Sequence, residues 1–361
     1  MSKIKVMHVL NTGGYSGAEN VAIELINMTR GNVDSVYVSP QGSIRGYLEE
    51  NDIEFLPVKK TGLFEIRRAI GRFKPDIIHA HDFNASVVCA LAAPRSISVI
   101  SHIHQSPPWM KKRNLRTVVY EMCSARYSKI LAVSDSIIKD SVFGKKIAGK
   151  TVIIGNPVNT EKIRCLAATE VAGRKADTEQ KKETTHPYDI VFFGRLSAPK
   201  DPLEFVEIVR NLRDQYPHIS AAMIGDGDLR TQVESRIQEY GLSDAVTLTG
   251  FLKNPFPVLN SGKVLCMPSL WEGYGLGAVE AMALGKPVVC SGAGGLINIV
   301  DESCGAICKE TGEYITAISE LLQNSDIYTE KSRNAREKAD ILGDMKEYCT
   351  KINRIYAGVT G

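Results

Sequence analysis

The chain of 361 residues has no Cys-x-x-Cys pair and no run of twenty apolar residues. The first absence argues against a zinc ribbon or a thioredoxin-like redox site. The eight cysteines, at 89, 123, 165, 266, 290, 304, 308 and 349, are scattered, and no histidine follows His218 to complete a metal set with Cys304 and Cys308. Reduced, mostly buried thiols are therefore expected. The second absence leaves no segment expected to cross a bilayer. The opening MSKIKVMHVL is also a poor signal peptide, because its short apolar stretch runs into Asn11-Thr12-Gly13-Gly14 without a small-residue cleavage site. A cytoplasmic location is expected. Nor is there a deficit of apolar residues: 43% hydrophobic against 24% charged is a globular balance, which argues against disorder and coiled coil.

A net charge of +3 conceals an asymmetry. Residues 1–166 carry 23 Lys and Arg against 14 Asp and Glu, and the remainder carries 21 against 27. A basic half beside an acidic half suggests an anionic partner for the first. Two stretches concentrate the basic charge: Leu63, Ile66, Arg67, Arg68, Ile70, Arg72, Phe73 and Lys74, and Trp109, Lys111, Lys112, Arg113 and Arg116 with Val118, Val119 and Met122 behind them. Ordinary helices with solvated outer faces are one reading. Peripheral docking on an anionic membrane, at the inner face of the cell membrane, is the other. No nucleic-acid-binding module is recognisable.

Apolar runs alternate with helical spacing along the chain. Strands are expected at Lys3–Leu10, Ser35–Val38, Asp76–His81, Ser98–His104, Lys129–Ser134 and Thr151–Ile154. The pattern restarts at Asp189–Phe193 and continues through Ala221–Ile224, Val246–Thr249, Lys263–Met267 and Pro287–Cys290. Such alternation predicts two successive α/β domains with parallel sheets. The divisions expected are 1–166, a linker or exposed loop at 167–186, and 187–343. A closing helix over about 344–358 is expected to pack back on the first domain.

Function should lie at the carboxyl ends of the strands. The loop Thr12-Gly13-Gly14-Tyr15-Ser16-Gly17-Ala18-Glu19 lets backbone approach a phosphate or sugar at a helix start. It is not a good dinucleotide fingerprint, since Thr12 replaces the first Gly and no acid closes the second strand. His79, His81, His102 and His104 end two strands; three are expected to be structural, with His104 beside the reacting group and His102 as the alternative. Arg195 and Lys200 straddle a turn that opens a helix, which suits a diphosphate. Glu272 lies in a Gly-rich loop and Glu280 in the apolar helix that follows. Both carboxylates suit sugar or ribose hydroxyls.

The Glu272…Glu280 pair, followed by Ala281-Met282-Ala283-Leu284-Gly285-Lys286-Pro287-Val288-Val289, resembles the signature of the retaining family 4 glycosyltransferases of GT-B architecture. Gly13-Gly14…Gly17-Ala18-Glu19, Asp76…His79-Ala80-His81, Asn156-Pro157-Val158-Asn159, Gly194-Arg195-Leu196…Lys200, Gly225-Asp226-Gly227 and Gly250-Phe251 occur in family order. The resemblance implies two Rossmann-like domains facing across a cleft, with no cofactor and no metal. It implies transfer from a nucleoside diphosphate sugar, UDP by default, to a hydroxyl acceptor such as a lipid-linked glycan in polysaccharide or glycolipid assembly. Catalysis would fall to Glu272, His104, Arg195 and Lys200. Donor contacts would come from Gly14, Arg195, Lys200, Phe251, Leu252, Glu272, Gly273, Tyr274, Gly275, Leu276 and Glu280. The loop Gly13, Gly14, Tyr15, Ser16 and Gly17 would face the acceptor or a phosphate. A nucleotide-sugar epimerase or hydrolase of the same fold, and a non-catalytic nucleotide-sugar binding protein, are the alternatives. The chain departs from the family pattern at Gly294-Gly295-Leu296-Ile297-Asn298, which lacks an acid, and at Gly262, where an Asp is usual.

Overall fold

The structure, a computed structural model, describes residues 3–169 and 187–360. The chain forms two compact units, residues 1–157 with 344–361, and residues 158–343. The first is built on seven strands: β1 (Ile4–Val9), β2 (Val33–Pro40), β3 (Phe55–Val58), β4 (Ile77–His81), β5 (Ser98–Ile103), β6 (Lys129–Ala132) and β7 (Thr151–Ile153). Their order is β3-β2-β1-β4-β5-β6-β7, and every pair is parallel. The second has six: β8 (Tyr188–Phe193), β9 (Ala221–Ile224), β10 (Val246–Gly250), β11 (Gly262–Met267), β12 (Val288–Ser291) and β13 (Gly305–Cys308). They too are all parallel, in the order β10-β9-β8-β11-β12-β13.

Helices between strands bury apolar stripes on these sheets, as parallel connections require. In the second unit the helix Pro202–Gln215 follows β8. Asp201 caps it by accepting from the Glu204 amide, and Pro202 occupies the first helical position, where no amide partner is needed. Its Phe205, Val206, Ile208, Val209 and Leu212 are fully enclosed against Ile190, Phe192 and Met223. Each such side chain contributes roughly 1.5–3 kcal/mol by leaving water.

Two expectations need correction. β3 and β13 are additional strands. Pro57 masks β3, an edge strand where a missing amide is tolerated, and β13 opens on Gly305 and leaves Ile307 exposed. The chain passes from one unit to the other at Pro157/Val158, because Val158 and Ile163 pack into the second unit's core. The expected linker therefore is not the boundary. Ala167 ends the helix Thr160–Ala167, and 170–186 fall outside the described residues. Near the end of the chain, the helix Ser325–Leu342 stops at Gly343 and a new helix, Met345–Val359, follows. That last helix is part of the first unit, where Ile352 and Tyr356 are completely buried.

Candidate functional site

In each sheet the strand order reverses beside the first strand, between β1 and β4 and between β8 and β11. Connections there leave the sheet on opposite sides, opening a crevice at the carboxyl ends. In the second unit, the loops leaving β8 and β11 flank that point. The Leu270 amide donates to the Pro199 carbonyl at 2.9 Å, tying the two loops together. Lys200 then forms an ion pair with Glu272, whose Oε1 also accepts from the Ser269 hydroxyl at 3.2 Å. Glu272 is 8% exposed.

Glycines permit this assembly. A β-carbon at Gly194 would meet three side-chain carbons of Lys200 at 3.6 Å, so the lysine stem runs alongside the backbone. One at Gly294 would stand 1.8 Å from the Glu272 carbonyl oxygen, and φ there is +54°. One at Gly295 would lie 2.5 Å from the Tyr274 oxygen. Gly294 and Gly295 thus support the acid loop directly, while the missing acid at Leu296-Ile297-Asn298 has no structural explanation. Gly262 has a structural role, since a β-carbon there would come within 2.2 Å of Val191.

Glu280 projects from the helix Leu276–Ala283. Burial pushes its carboxyl up to about 7, against the pull of the Lys200 ammonium. Lys200 therefore lies within electrostatic reach of both acids. Gly275, with φ of +104°, opens this helix without a side-chain cap, so its first amides have no local side-chain acceptor. Lys200, Glu272 and Glu280 come together, with Gly273, Tyr274, Gly275 and Leu276 on the connecting segment. Burial pushes the Tyr274 hydroxyl up to about 12. Arg195 leaves the same β8 turn, exposed and without an ion pair among the described residues. Phe251 and Leu252 lie past the end of the edge strand β10, two positions from β8; Phe251 is 61% exposed and Leu252 packs on the core. The expectation of no metal takes an Asp-x-Asp triplet to be absent, but Asp226-Gly227-Asp228 is one. Both acids are exposed, and Asp226 faces Arg230 at 3.5 Å.

In the first unit, the expected ligand loop leaves β1. A β-carbon at Gly13 would collide with the Gln41 carbonyl oxygen at 2.4 Å, whereas one at Gly14 meets nothing within 4 Å. Gly13 is therefore a packing requirement and Gly14 faces open space. Tyr15 stacks on Tyr47 with centroids 3.8 Å apart. Ser16 precedes the helix Gly17–Thr29 and donates to Glu19, which also accepts from the Thr12 hydroxyl at 2.9 Å.

The histidines converge, which the spacing along separate strands left open. His8 on β1, His79 and His81 on β4, and His102 and His104 at the end of β5 stand on one face, with His8 in register with His79 and His81 with His102. His8 Nδ1 meets His81 Nε2 at 3.1 Å, and His81 Nδ1 meets His104 Nε2 at 2.9 Å. A second series joins His102 Nδ1 to His79 Nε2 at 3.1 Å and His79 Nδ1 to the Tyr356 hydroxyl at 2.8 Å. Burial holds His8 down to about 3 and His104 to about 4, the latter against the pull of Glu19 and Asn156. The remaining three are also held well below the usual value by burial and mutual repulsion. Asp82, at the end of β4, accepts from the His104 amide at 3.1 Å, while burial pushes its carboxyl up to about 6.

Two triplets, His8/His79/His81 and His81/His102/His104, offer nitrogens within 4.8 Å of one another, a spacing that a metal could use. In the bonded pairs, each nitrogen also lies within hydrogen-bond distance of its neighbour's.

Residues 15–162 match the family model described as Glycosyltransferase Family 4, and residues 173–339 match that described as Glycosyl transferases group 1. The Escherichia coli UDP-Gal:alpha-D-GlcNAc-diphosphoundecaprenol alpha-1,3-galactosyltransferase is 24% identical over 386 residues, covering 98% of this chain and 97% of that protein. An uncharacterized glycosyltransferase of Methanocaldococcus jannaschii is 24% identical over 253 residues, covering 65% of this chain; the match spans only 59% of that relative. Among solved structures, Anabaena HepE in complex with UDP-glucose superposes with a TM-score of 0.83 at 20% identity, over 98% of this chain and all of that one.

Proposed function

Since the chain belongs to the family 4 type of glycosyltransferase, with the GT-B fold, we propose that it moves a sugar from a UDP-sugar to an acceptor hydroxyl with retention of anomeric configuration. The observation that carries this reading is the meeting of Lys200, Glu272 and Glu280 at the β8/β11 reversal. A diphosphate entering there exchanges the Lys200–Glu272 ion pair for a lysine–phosphate contact, which frees Glu272 for the hydroxyls of the transferred sugar. Glu280 accepts from the ribose hydroxyls. The exposed Arg195 and the uncapped amides of the helix Leu276–Ala283 meet the negative charge that develops on the leaving diphosphate. The backbone at Phe251-Leu252 faces the base. No side chain is assigned as a covalent nucleophile; the leaving phosphate itself helps to take the acceptor proton. His104 and the loop at Gly14, both in the first unit, are assigned to acceptor binding.

A lipid-linked acceptor is favoured by the surface of the first unit. Phe64, Leu115 and Met122 are exposed apolar side chains on helices that also carry Arg67, Arg68 and Arg116. Aliphatic and aromatic tips among basic residues suit a headgroup layer. The E. coli relative, which by its name acts on a diphosphoundecaprenol-linked sugar, agrees with that choice.

Turnover and donor binding in two variants test the donor site. Arg195→Ala should lose about a hundredfold in transfer while remaining folded. Lys200→Ala should bind UDP at least tenfold more weakly by calorimetry. Near-normal transfer by the first, or unchanged affinity in the second, would defeat the assignment.

A further inference from the structure

The first unit holds five imidazoles in contact, four of them at most 1% exposed and His104 6% exposed. At neutral pH burial keeps them uncharged. Each ring then owns one N–H and one lone pair. In the series His8–His81–His104, both internal contacts are N–H···N bonds of 3.1 and 2.9 Å, and the His81 and His104 rings are nearly coplanar, 10° apart. Three such rings in line have only two fully bonded arrangements. Either every N–H points toward His104, or every N–H points toward His8. A mixed arrangement sets two lone pairs or two hydrogens face to face in an apolar interior, where an unmade bond costs about 1–3 kcal/mol.

The ends of the series choose between the two. His8 Nε2 is buried with no partner, and His104 Nδ1 forms no hydrogen bond within ordinary limits among the described residues. With all N–H groups directed at His104, the orphan at the His8 end is an acceptor. With the opposite direction it is a buried donor, the rarer and costlier kind. At the other end stand two acceptors for a hydrogen on His104 Nδ1. Asn156, whose buried Oδ1 also lacks a partner, raises the proton affinity of the ring, as does the Glu19 carboxylate. Both ends point the same way.

We propose that His81 and His8 are positioning residues that fix His104 as the tautomer with its hydrogen on Nδ1, so that this ring donates a hydrogen bond to an oxygen of an acceptor bound on the first unit and does not act as a base. The part concerning the ligand rests on the transferase reading above; the tautomer does not. His81 donates from Nδ1 to His104 Nε2, which occupies the lone pair a base would need. His8 in turn donates to His81. The series thus extends the site from the loop side of β5 to the interior position His8 on β1, with no charge stored along it.

The experiment is to record the ring nitrogens of histidine-labelled full-length protein by NMR at neutral pH, without substrate, for the parent chain and for His81→Phe and His81→Asn. In the parent, His104 should show a pyrrole-like Nδ1 and a pyridine-like Nε2. His81→Phe removes the donor and should move His104 toward the Nε2–H form, with transfer reduced about tenfold or more and UDP affinity unchanged. His81→Asn restores a donor near the former Nδ1 and should keep both the tautomer and most of the transfer; a merely structural role would not rank a polar replacement above an isosteric ring. A pyridine-like Nδ1 in the parent overturns the proposal, and so does an unmoved His104 tautomer in His81→Phe. Stoichiometric, tight cobalt(II) binding that engages these nitrogens also overturns it, because the metal would claim the lone pairs that the bonds use. The parent spectrum needs no substituted protein, so a variant that fails to fold leaves the test intact. It also needs no turnover, so it separates failure of the tautomer from failure of the transferase assignment.

Discussion

Glu280 shows how a single carboxyl ties binding to stability. Its folded-state value near 7 exceeds the ordinary 4.5 because burial disfavours the charge more than Lys200 favours it. Between those values the folded chain keeps a proton that the unfolded chain has released, so stability is full below about 4.5 and falls as pH rises through 7. Glu280→Gln removes that loss. The variant should melt a few degrees above the parent at pH 8, with the gap closing toward pH 5. Its UDP affinity should fall about tenfold at pH 8, where the parent presents a carboxylate. Equal melting at pH 8 would mean that the carboxyl is solvated. At this scale much was legible. An acid inside the apolar run Leu276–Leu284 needs a partner if buried, and that alone marks Glu280. What the letters withhold is pairing at a distance: nothing in the strings around 200 and 272 states that Lys200 reaches Glu272, and nothing marks His8 as a neighbour of His81.

Among the elements, the strand-to-helix loops carry the candidate site and the glycines hold them in place. Gly294→Ala would force a side chain onto the Glu272 carbonyl at a left-handed φ, so the acid loop must shift. Loss of nearly all transfer and a lowered melting temperature are expected, measured by turnover and thermal denaturation. Gly14→Ala, with open space around it, should leave melting unchanged. Equal effects of the two would show that the close approach of Gly294 to Glu272 does not matter. Central strands were readable because buried parallel strands are continuous apolar runs. Two edge strands were not: β3 is interrupted by Pro57, and β13 opens on a glycine and leaves Ile307 exposed. Gly262 reads as a departure, and nothing in the letters singles out Gly294, because a packing requirement has no periodicity. Only the three-dimensional neighbours, Glu272 and Val191, explain them.

At the level of the whole molecule, charge separates with the sequence halves, and the basic, first half also carries the exposed Phe64, Leu115 and Met122. No described helix is long and apolar enough to cross a membrane. The full chain should cosediment with anionic vesicles at low salt and be released at high salt, as a screened surface attraction requires. Phe64→Ser with Leu115→Ser should weaken that binding. Equal binding to neutral vesicles, or none at all, would remove the membrane from the account. The division into two units was foreseeable from the restart of strand–helix alternation at Asp189. Its boundary was not, because the polar stretch 167–186 is more conspicuous in the letters than the burial of Val158 and Ile163.

The helix Met345–Val359 completes the first unit, with Tyr356 enclosed and its hydroxyl on His79. On the ribosome, the opening sheet is therefore synthesised long before the piece that covers it, and all of residues 158–343 must emerge in between. Half of the imidazole array has to await that late arrival. A polypeptide cut short anywhere after the second unit would carry that unit intact and the first unfinished, so nascent-chain quality control would meet its weakest substrate at the oldest end of the protein.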